Sequence, residues 1–486
     1  MTSPRRHLAV LCALAGFAHL TACGDDGTPA DTTPDAGDVT DTTDTGDGST
    51  TPPDADPADT DGSATADVGE DTTQPLPDED CDDTLRPIVM AHGFLASGDT
   101  YGAHFQRFSA NGYCRDRLFA YDWNTLGQGL DRVGLLDAFI QDVLTRTGAT
   151  QVDLAGHSAG GGLGYDYLEE PERAARVAHY AHIGSFANDA PAGPADSPVP
   201  TLNLYSEGDT VVADGGDIPG ATNVKLITED HYGVATSAAS FDAIFRHYND
   251  GTPPTTTDIV PETRPVVAGR ALSLGENLPA AGAAIQIWAL DSATGLRSAA
   301  TPVATFTADE LGYWGPVELL PATHYEFFIT PTGDDAVPIH YYREPFVRSN
   351  QGVYLRTLPN PDSLAGILLA GLPFNDDATI LVNFTSSTGI LAGTDSLVID
   401  GVEMATEELA SADQTTIALF LYDENQNATS DNVTVATFAS FPFLKGYDQF
   451  YAADPTQFIE VNLNGRILRS PRWPSLTGGV SITIFD

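Results

Sequence analysis

The chain has 486 residues and carries 68 Asp and Glu against 22 Lys and Arg, a formal charge of −46. That balance argues against nucleic acid and against anionic lipid surfaces as binding partners, since both would repel it. The length allows two or three domains beyond any leader.

Residues 1–22 read as an export signal. Arg5 and Arg6 supply a positive start, and the apolar run Leu8–Phe17 is too short to span a bilayer. Leu20-Thr21-Ala22-Cys23 resembles the lipobox of bacterial lipoproteins. That resemblance implies cleavage before Cys23 and acylation of its thiol. Membrane contact would then run only through an N-terminal lipid anchor. The expected location is the bacterial cell envelope, at the outer membrane or cell surface rather than the inner membrane. Residues 23–84 read as a disordered acidic tether: Gly24 to Asp80 holds 18 acidic residues and no Lys or Arg. Such a composition cannot bury enough apolar surface to offset chain entropy.

Four cysteines are present, two of them in the leader. Cys81 and Cys114 remain, and in an oxidising compartment they are expected to pair. The bridge would close a loop of roughly 34 residues, which the chain-entropy estimate makes worth about 3–4 kcal/mol. No His or Cys spacing fits a metal site, and no metal or cofactor is expected.

Residues 85–250 alternate short apolar runs with helical patterns, the grammar of a parallel α/β sheet. Strands are predicted at Pro87–Ala91, Leu118–Tyr121, Val152–Ala155, Val177–Ile183, Thr201–Tyr205 and Val224–Ile227. Between the second and third, Leu136, Phe139, Ile140, Val143 and Leu144 recur at helical spacing.

Gly156-His157-Ser158-Ala159-Gly160 follows the third strand directly and runs into a predicted helix ending near Glu170. A serine on so tight a strand-to-helix turn is held in strained backbone geometry with its hydroxyl exposed, and the flanking glycines relieve the crowding. Ser158 is therefore the candidate nucleophile. Ala159 N–H and Phe94 N–H, the latter from the His92-Gly93-Phe94 loop after the first strand, are the candidate oxyanion donors. His92 and His157 read as packed neighbours rather than proton shuttles.

The acid must follow the serine and precede the histidine in this chain order. Asp209 lies just past the fifth strand and is preferred over Asp189, Asp214 and Asp217. His231, between the last strand and the final helix, is the candidate base, preferred over His247 inside the helix Ser240–Tyr248.

With those residues in place, the chain resembles the Archaeoglobus type of lipase, an α/β-hydrolase followed by a C-terminal β-rich lipid-binding domain. The similar stretches include Met90–Phe94, Gly156–Gly160, Pro171–His179, Thr255–Pro261, Tyr341–Arg348 and the region from Trp473 to Ile482. The resemblance implies a serine carboxylic-ester hydrolase that needs no cofactor, with a lipid ester as substrate. It departs from the family in one respect. Asp122–Leu130 and Ser185–Thr201 are too short for a large helical lid.

Residues 251–263 read as a linker, opened by Gly251-Thr-Pro-Pro254. From 264 to 356 short alternating strands such as Ala283–Leu290 and Tyr325–Thr330 suggest a transthyretin-like β domain. From 357 to 486 a second β domain is predicted, with strands at Thr379–Phe384, Thr416–Tyr422, Val433–Phe438, Phe458–Leu463 and Val480–Phe485. The expected fold class is thus a compact α/β-hydrolase with a parallel sheet, followed by two all-β, sandwich- or barrel-like domains. Asp423–Asn427 looks like the start of a calcium loop but lacks its later ligands, so a solvated turn is favoured. The aromatic run Phe438, Phe441, Phe443, Tyr447, Phe450 and Tyr451 reads as core packing or as an apolar docking surface.

The leading reading is a lipase or carboxylesterase working through an acyl-enzyme. A polyester depolymerase or polysaccharide deacylase is the enzymatic alternative, and a β-domain adhesin with an inactive hydrolase fold is the non-enzymatic one. All the chemistry falls between His92 and His231, so a segment ending near Asp250, if it stays soluble, is expected to hydrolyse short soluble esters and to lose most activity on long-chain or insoluble ones.

Overall fold

The computed structural model describes residues 81–486 apart from 128, 214, 334–335 and 439–442. The leader, Cys23 and most of the acidic tether lie outside the described residues, as do Asp214 and Phe441.

Six parallel strands form the first sheet: β1 (Ile88–Ala91), β2 (Leu118–Tyr121), β3 (Val152–His157), β4 (Val177–Ile183), β5 (Thr201–Ser206) and β6 (Thr222–Leu226), in the order β2-β1-β3-β4-β5-β6. Alternate residues feed two cores, one on each face. Ile88, Met90, Ala155, Ile183 and Leu204 face one side with Tyr101, Phe108 and Phe241, while Val89, Ala91, Leu154 and Tyr180 face the other with Leu136, Ile140 and Tyr167. Burial on both faces explains why the inner strands β1 and β3 read as mostly apolar runs.

Helix α1 (Gly102–Ala110) follows β1 and α2 (Arg132–Thr147) follows β2. The Asp131 side chain caps α2 by accepting from Gly134 N–H, and Gly148 ends it at φ 66°. Next come α3 (Ala159–Leu168), the single turn α4 (Pro171–Ala174), α5 (Gly233–Thr236) and α6 (Ala238–Tyr248). In α6 the spacing of Phe241, Ile244, Phe245 and Tyr248 puts all four on the buried face, where the three aromatics pack around Phe108. Cys81 and Cys114 form a disulfide 33 residues apart in sequence.

The C-terminal half is mostly β. Its first strand, β7 (Val266–Ser273), pairs with Tyr313–Glu318 and Leu355–Thr357. A sheet of eight strands then runs through both predicted β segments. The last strand, Val480–Phe485, lies parallel between Ile339–Arg343 and Leu381–Thr385 and joins them. Inserting it satisfies two edges that would otherwise present unpaired N–H and C=O groups. One predicted strand is absent: Val433–Phe438 forms only a bridge at Thr434 to Tyr447 and a short 3-10 turn at Ala436–Phe438. Phe438 is buried there, stacked on Phe420.

The β half docks on the hydrolase segment through buried charge. Arg356 reaches both carboxylate oxygens of Asp99 and the Ser97 hydroxyl. Arg270 meets Asp122 at 2.6 Å, and Tyr354 O–H donates to the same oxygen of Asp122 at 2.7 Å. Gly389 N–H donates to Asp230 beside His231. A segment ending near Asp250 would lose these contacts. Removing the β half would strip Asp99 and Asp122 of their cations. Among the described residues no helix is long and apolar enough to cross a membrane.

Candidate active site

In the order β2-β1-β3 the chain reverses direction across the sheet between β1 and β3. A crevice opens beyond the carboxyl ends of strands at such a point. The loop Gly93–Phe94 leaves β1 there and Ser158 leaves β3 there.

Ser158 stands between β3 and α3 with φ 52° and ψ −116°, a conformation that a non-glycine residue adopts only when its surroundings enforce it. The neighbours that enforce it are visible. A Cβ on Gly156 would lie 2.2 Å from Gly160 O, and one on Gly160 would lie 2.3 Å from Ala91 O, so backbone touches backbone on both sides of the turn. Ser158 N–H is held by Ile183 O at 2.9 Å. Gly93 lies against the serine, since a Cβ there would come within 3.1 Å of Ser158 Cβ. Among the described residues the N–H groups of Phe94 and Ala159 have no backbone acceptor.

His231 and Asp209 meet as the chain order requires. His231 Nδ1 donates to Asp209 Oδ2 at 2.8 Å, and the two residues are 7% and 4% exposed. The other oxygen of Asp209 accepts Val211 N–H at 3.0 Å and Val212 N–H at 2.9 Å. Burial raises the pKa of this carboxyl. The hydrogen bond and charge of His231, with the Val212 N–H, outweigh burial and leave it below its usual range. The rivals lie elsewhere: Asp217 is exposed and accepts from Tyr205 O–H, Asp189 is exposed, and His247 bonds Pro200 O. Among the described residues no hydrogen bond joins Ser158 Oγ to His231; such catalytic bonds are often long before substrate binds.

His157 and His92, read as packed neighbours, are both buried. His157 Nε2 donates to the His231 carbonyl at 2.9 Å, and the two rings pack with centroids 4.7 Å apart. Burial, and then the neighbouring His231 charge, push its pKa down and keep it neutral. It therefore ties the serine turn to the histidine loop, which its sequence position alone did not disclose.

Gly275, at φ 78°, faces Leu95, Leu126 and Ala365, and Ala365 belongs to the short helix α7 (Leu364–Leu369) of the β half. No large lid intervenes in 122–130 or 185–201 among the described residues. Nor does any group of three or more His, Cys, Asp or Glu side chains among them fit a metal ion. Asp423 accepts Asn427 and Ala428 N–H groups from its own turn.

A parallel sheet wound in this order, with a strained serine after its third strand, defines an α/β-hydrolase. Residues 85–168 match the family model of class 2 lipases and residues 264–359 that of the lipase C-terminal domain. A further C-terminal-domain model matches residues 386–486. These matches support a hydrolase acting on esters, with a segment similar to lipase C-terminal domains behind its α/β-hydrolase segment. Among solved structures it is similar to the mature lipase of Bacillus licheniformis at 15% identity, over 36% of this chain and 96% of that one, with a TM-score of 0.29. It is also similar to a bromoperoxidase from Bacillus anthracis (15%, 34% and 92%, TM-score 0.28) and to an esterase from Rhodococcus (17%, 35% and 92%, TM-score 0.27).

Proposed function

We propose that the chain hydrolyses carboxylic esters of lipids through Ser158, His231 and Asp209. His231 takes the Ser158 proton as Oγ attacks the carbonyl carbon. The N–H groups of Phe94 and Ala159 stabilise the oxyanion, and Asp209 supports the imidazolium. His231 then protonates the leaving alcohol, and water releases the acid from the acyl-enzyme. The observation that carries this reading is the buried His231–Asp209 hydrogen bond at the edge where the strained Ser158 emerges.

The matches to class 2 lipases and to the lipase C-terminal domain support a lipid ester as the substrate. Lipidation at Cys23 would place the enzyme on the bacterial envelope, with residues 24–80 as a spacer that keeps it clear of the surface. Testing the reading takes a panel of esters from acetyl to palmitoyl, with Asp209→Asn and Asp217→Asn in parallel. Asp209→Asn should lower kcat by orders of magnitude in a folded protein, because the imidazole loses its orienting acceptor. Equal activity of the two variants would count against it.

A further inference from the structure

The turn after β7 brings Asn277 across from the β half into the hydrolase loops. Its φ is 57°, a left-handed conformation that Asn tolerates, and it is 7% exposed. Its side-chain nitrogen lies within hydrogen-bond distance of three acceptors, Ala96 O at 2.9 Å, Trp123 O at 3.1 Å and His92 Nε2 at 3.2 Å, and shares its two hydrogens among them. Two of those three partners are carbonyl oxygens, so the amide nitrogen must face them. His92 Nε2 must then be an acceptor. Trp123 N–H points at the same nitrogen from 3.1 Å, which makes the same demand.

With Nε2 accepting from Trp123 N–H and from a shared Asn277 hydrogen, the proton of His92 sits on Nδ1. There it donates to Gly93 O at 2.8 Å, an oxygen that also accepts Ala96 N–H at 3.3 Å. Gly93 C=O and Phe94 N–H belong to one planar trans peptide and point in opposite directions. Pinning the carbonyl therefore aims the N–H. Burial also lowers the His92 pKa, in keeping with a neutral ring.

We infer that Asn277 is a positioning residue for the oxyanion site: it holds His92 in the Nδ1–H tautomer, which fixes the Gly93–Phe94 peptide and directs Phe94 N–H at the reacting oxygen. The inference rests on the Phe94 assignment above. It gives the β half a part in the chemical step, besides docking and substrate contact.

The test uses the whole chain, with active sites counted by an organophosphonate so that rates refer to folded enzyme. Asn277→Gly suits the positive φ, and Asn277→Ser, which keeps one donor, serves as the milder second variant. For a short soluble ester, Asn277→Gly should lower kcat about tenfold or more, a fraction of the loss on removing an oxyanion donor outright, and leave KM unchanged. A boronic acid, which binds as a tetrahedral anion, should weaken by the same factor. His92→Asn keeps a donor near the Nδ1 position and has no atom at Nε2, so adding Asn277→Gly to it should cost no further kcat. Unchanged kcat and boronate affinity would overturn the inference, and so would an equal loss in the His92→Asn background. If the unaltered protein fails to label at Ser158, the hydrolytic reading falls and the inference falls with it. Labelling without an Asn277 effect removes the inference alone.

Discussion

Arg270→Met is expected to destabilise the protein more than an ordinary surface ion-pair loss, and the structure sets the size. The Asp122 side chain is 1% exposed and that of Arg270 is 14%, with 2.6 Å between them. Breaking such a pair from one side costs about 3–5 kcal/mol, because a charge is left buried without its partner. Asp122 keeps Gly98 N–H and Tyr354 O–H, each at 2.7 Å, and these hydrogen bonds to a charged oxygen soften the loss. The expected cost is therefore near the low end, about 3 kcal/mol. Asp122→Asn should cost less, about 2 kcal/mol, because Arg270 still donates to Leu311 O and lies 4.8 Å from the Tyr313 ring centre. The double variant should fall well short of the sum. Urea denaturation followed by circular dichroism measures all three. Strict additivity, or a loss below about 1 kcal/mol for Arg270→Met, would refute the claim that this pair is buried and coupled.

Gly160→Ala should abolish soluble, active protein, since the new Cβ would meet Ala91 O and His92 O, which are backbone and cannot swing away. Gly162→Ala, two residues on with open space around it, should be neutral or mildly stabilising, and comparing soluble yield and activity of the two checks the crowding. Burial pushes the pKa of His182 down to about 4. The unfolded chain then takes up a proton near pH 6.5 that the folded chain refuses until about pH 4. Stability from this group is full above about pH 6.5 and is lost as pH falls toward 4, by about 3 kcal/mol in all. His182→Asn should flatten that part of a stability–pH curve, and an unchanged slope would contradict it. Reduction should lower the denaturation midpoint of the unaltered protein by the equivalent of about 3 kcal/mol, and Cys81→Ser should show no such sensitivity.

The catalytic half was legible because its signals are local. The inner strands β1 and β3 are buried on both faces and read as mostly apolar runs, and Gly156–Gly160 carries its own geometry in its spacing. Asp209 and His231 were chosen from chain order and loop position, and a hydrogen bond of 2.8 Å joins the two side chains. The β half was less legible. Arg466–Arg472 is a strand despite three arginines and a proline, because Arg469 pairs with Glu460 and Arg472 with Asp400. Val433–Phe438 has strand composition, yet Phe438 is claimed by the core in a 3-10 turn. Asn277 carries no sequence signal at all. It is separated by 185 residues from His92, and only the docking of the β half brings the two together.

The central claim is that Ser158 is the nucleophile. Incubation of the whole chain with an organophosphonate, followed by mass spectrometry of its peptides, tests it most directly. The account expects one adduct, on the peptide containing Gly156–Gly160 at Ser158, formed in step with loss of ester hydrolysis, and neither adduct nor hydrolysis in a folded Ser158→Ala protein. An adduct at another serine, or hydrolysis that survives Ser158→Ala, would contradict it.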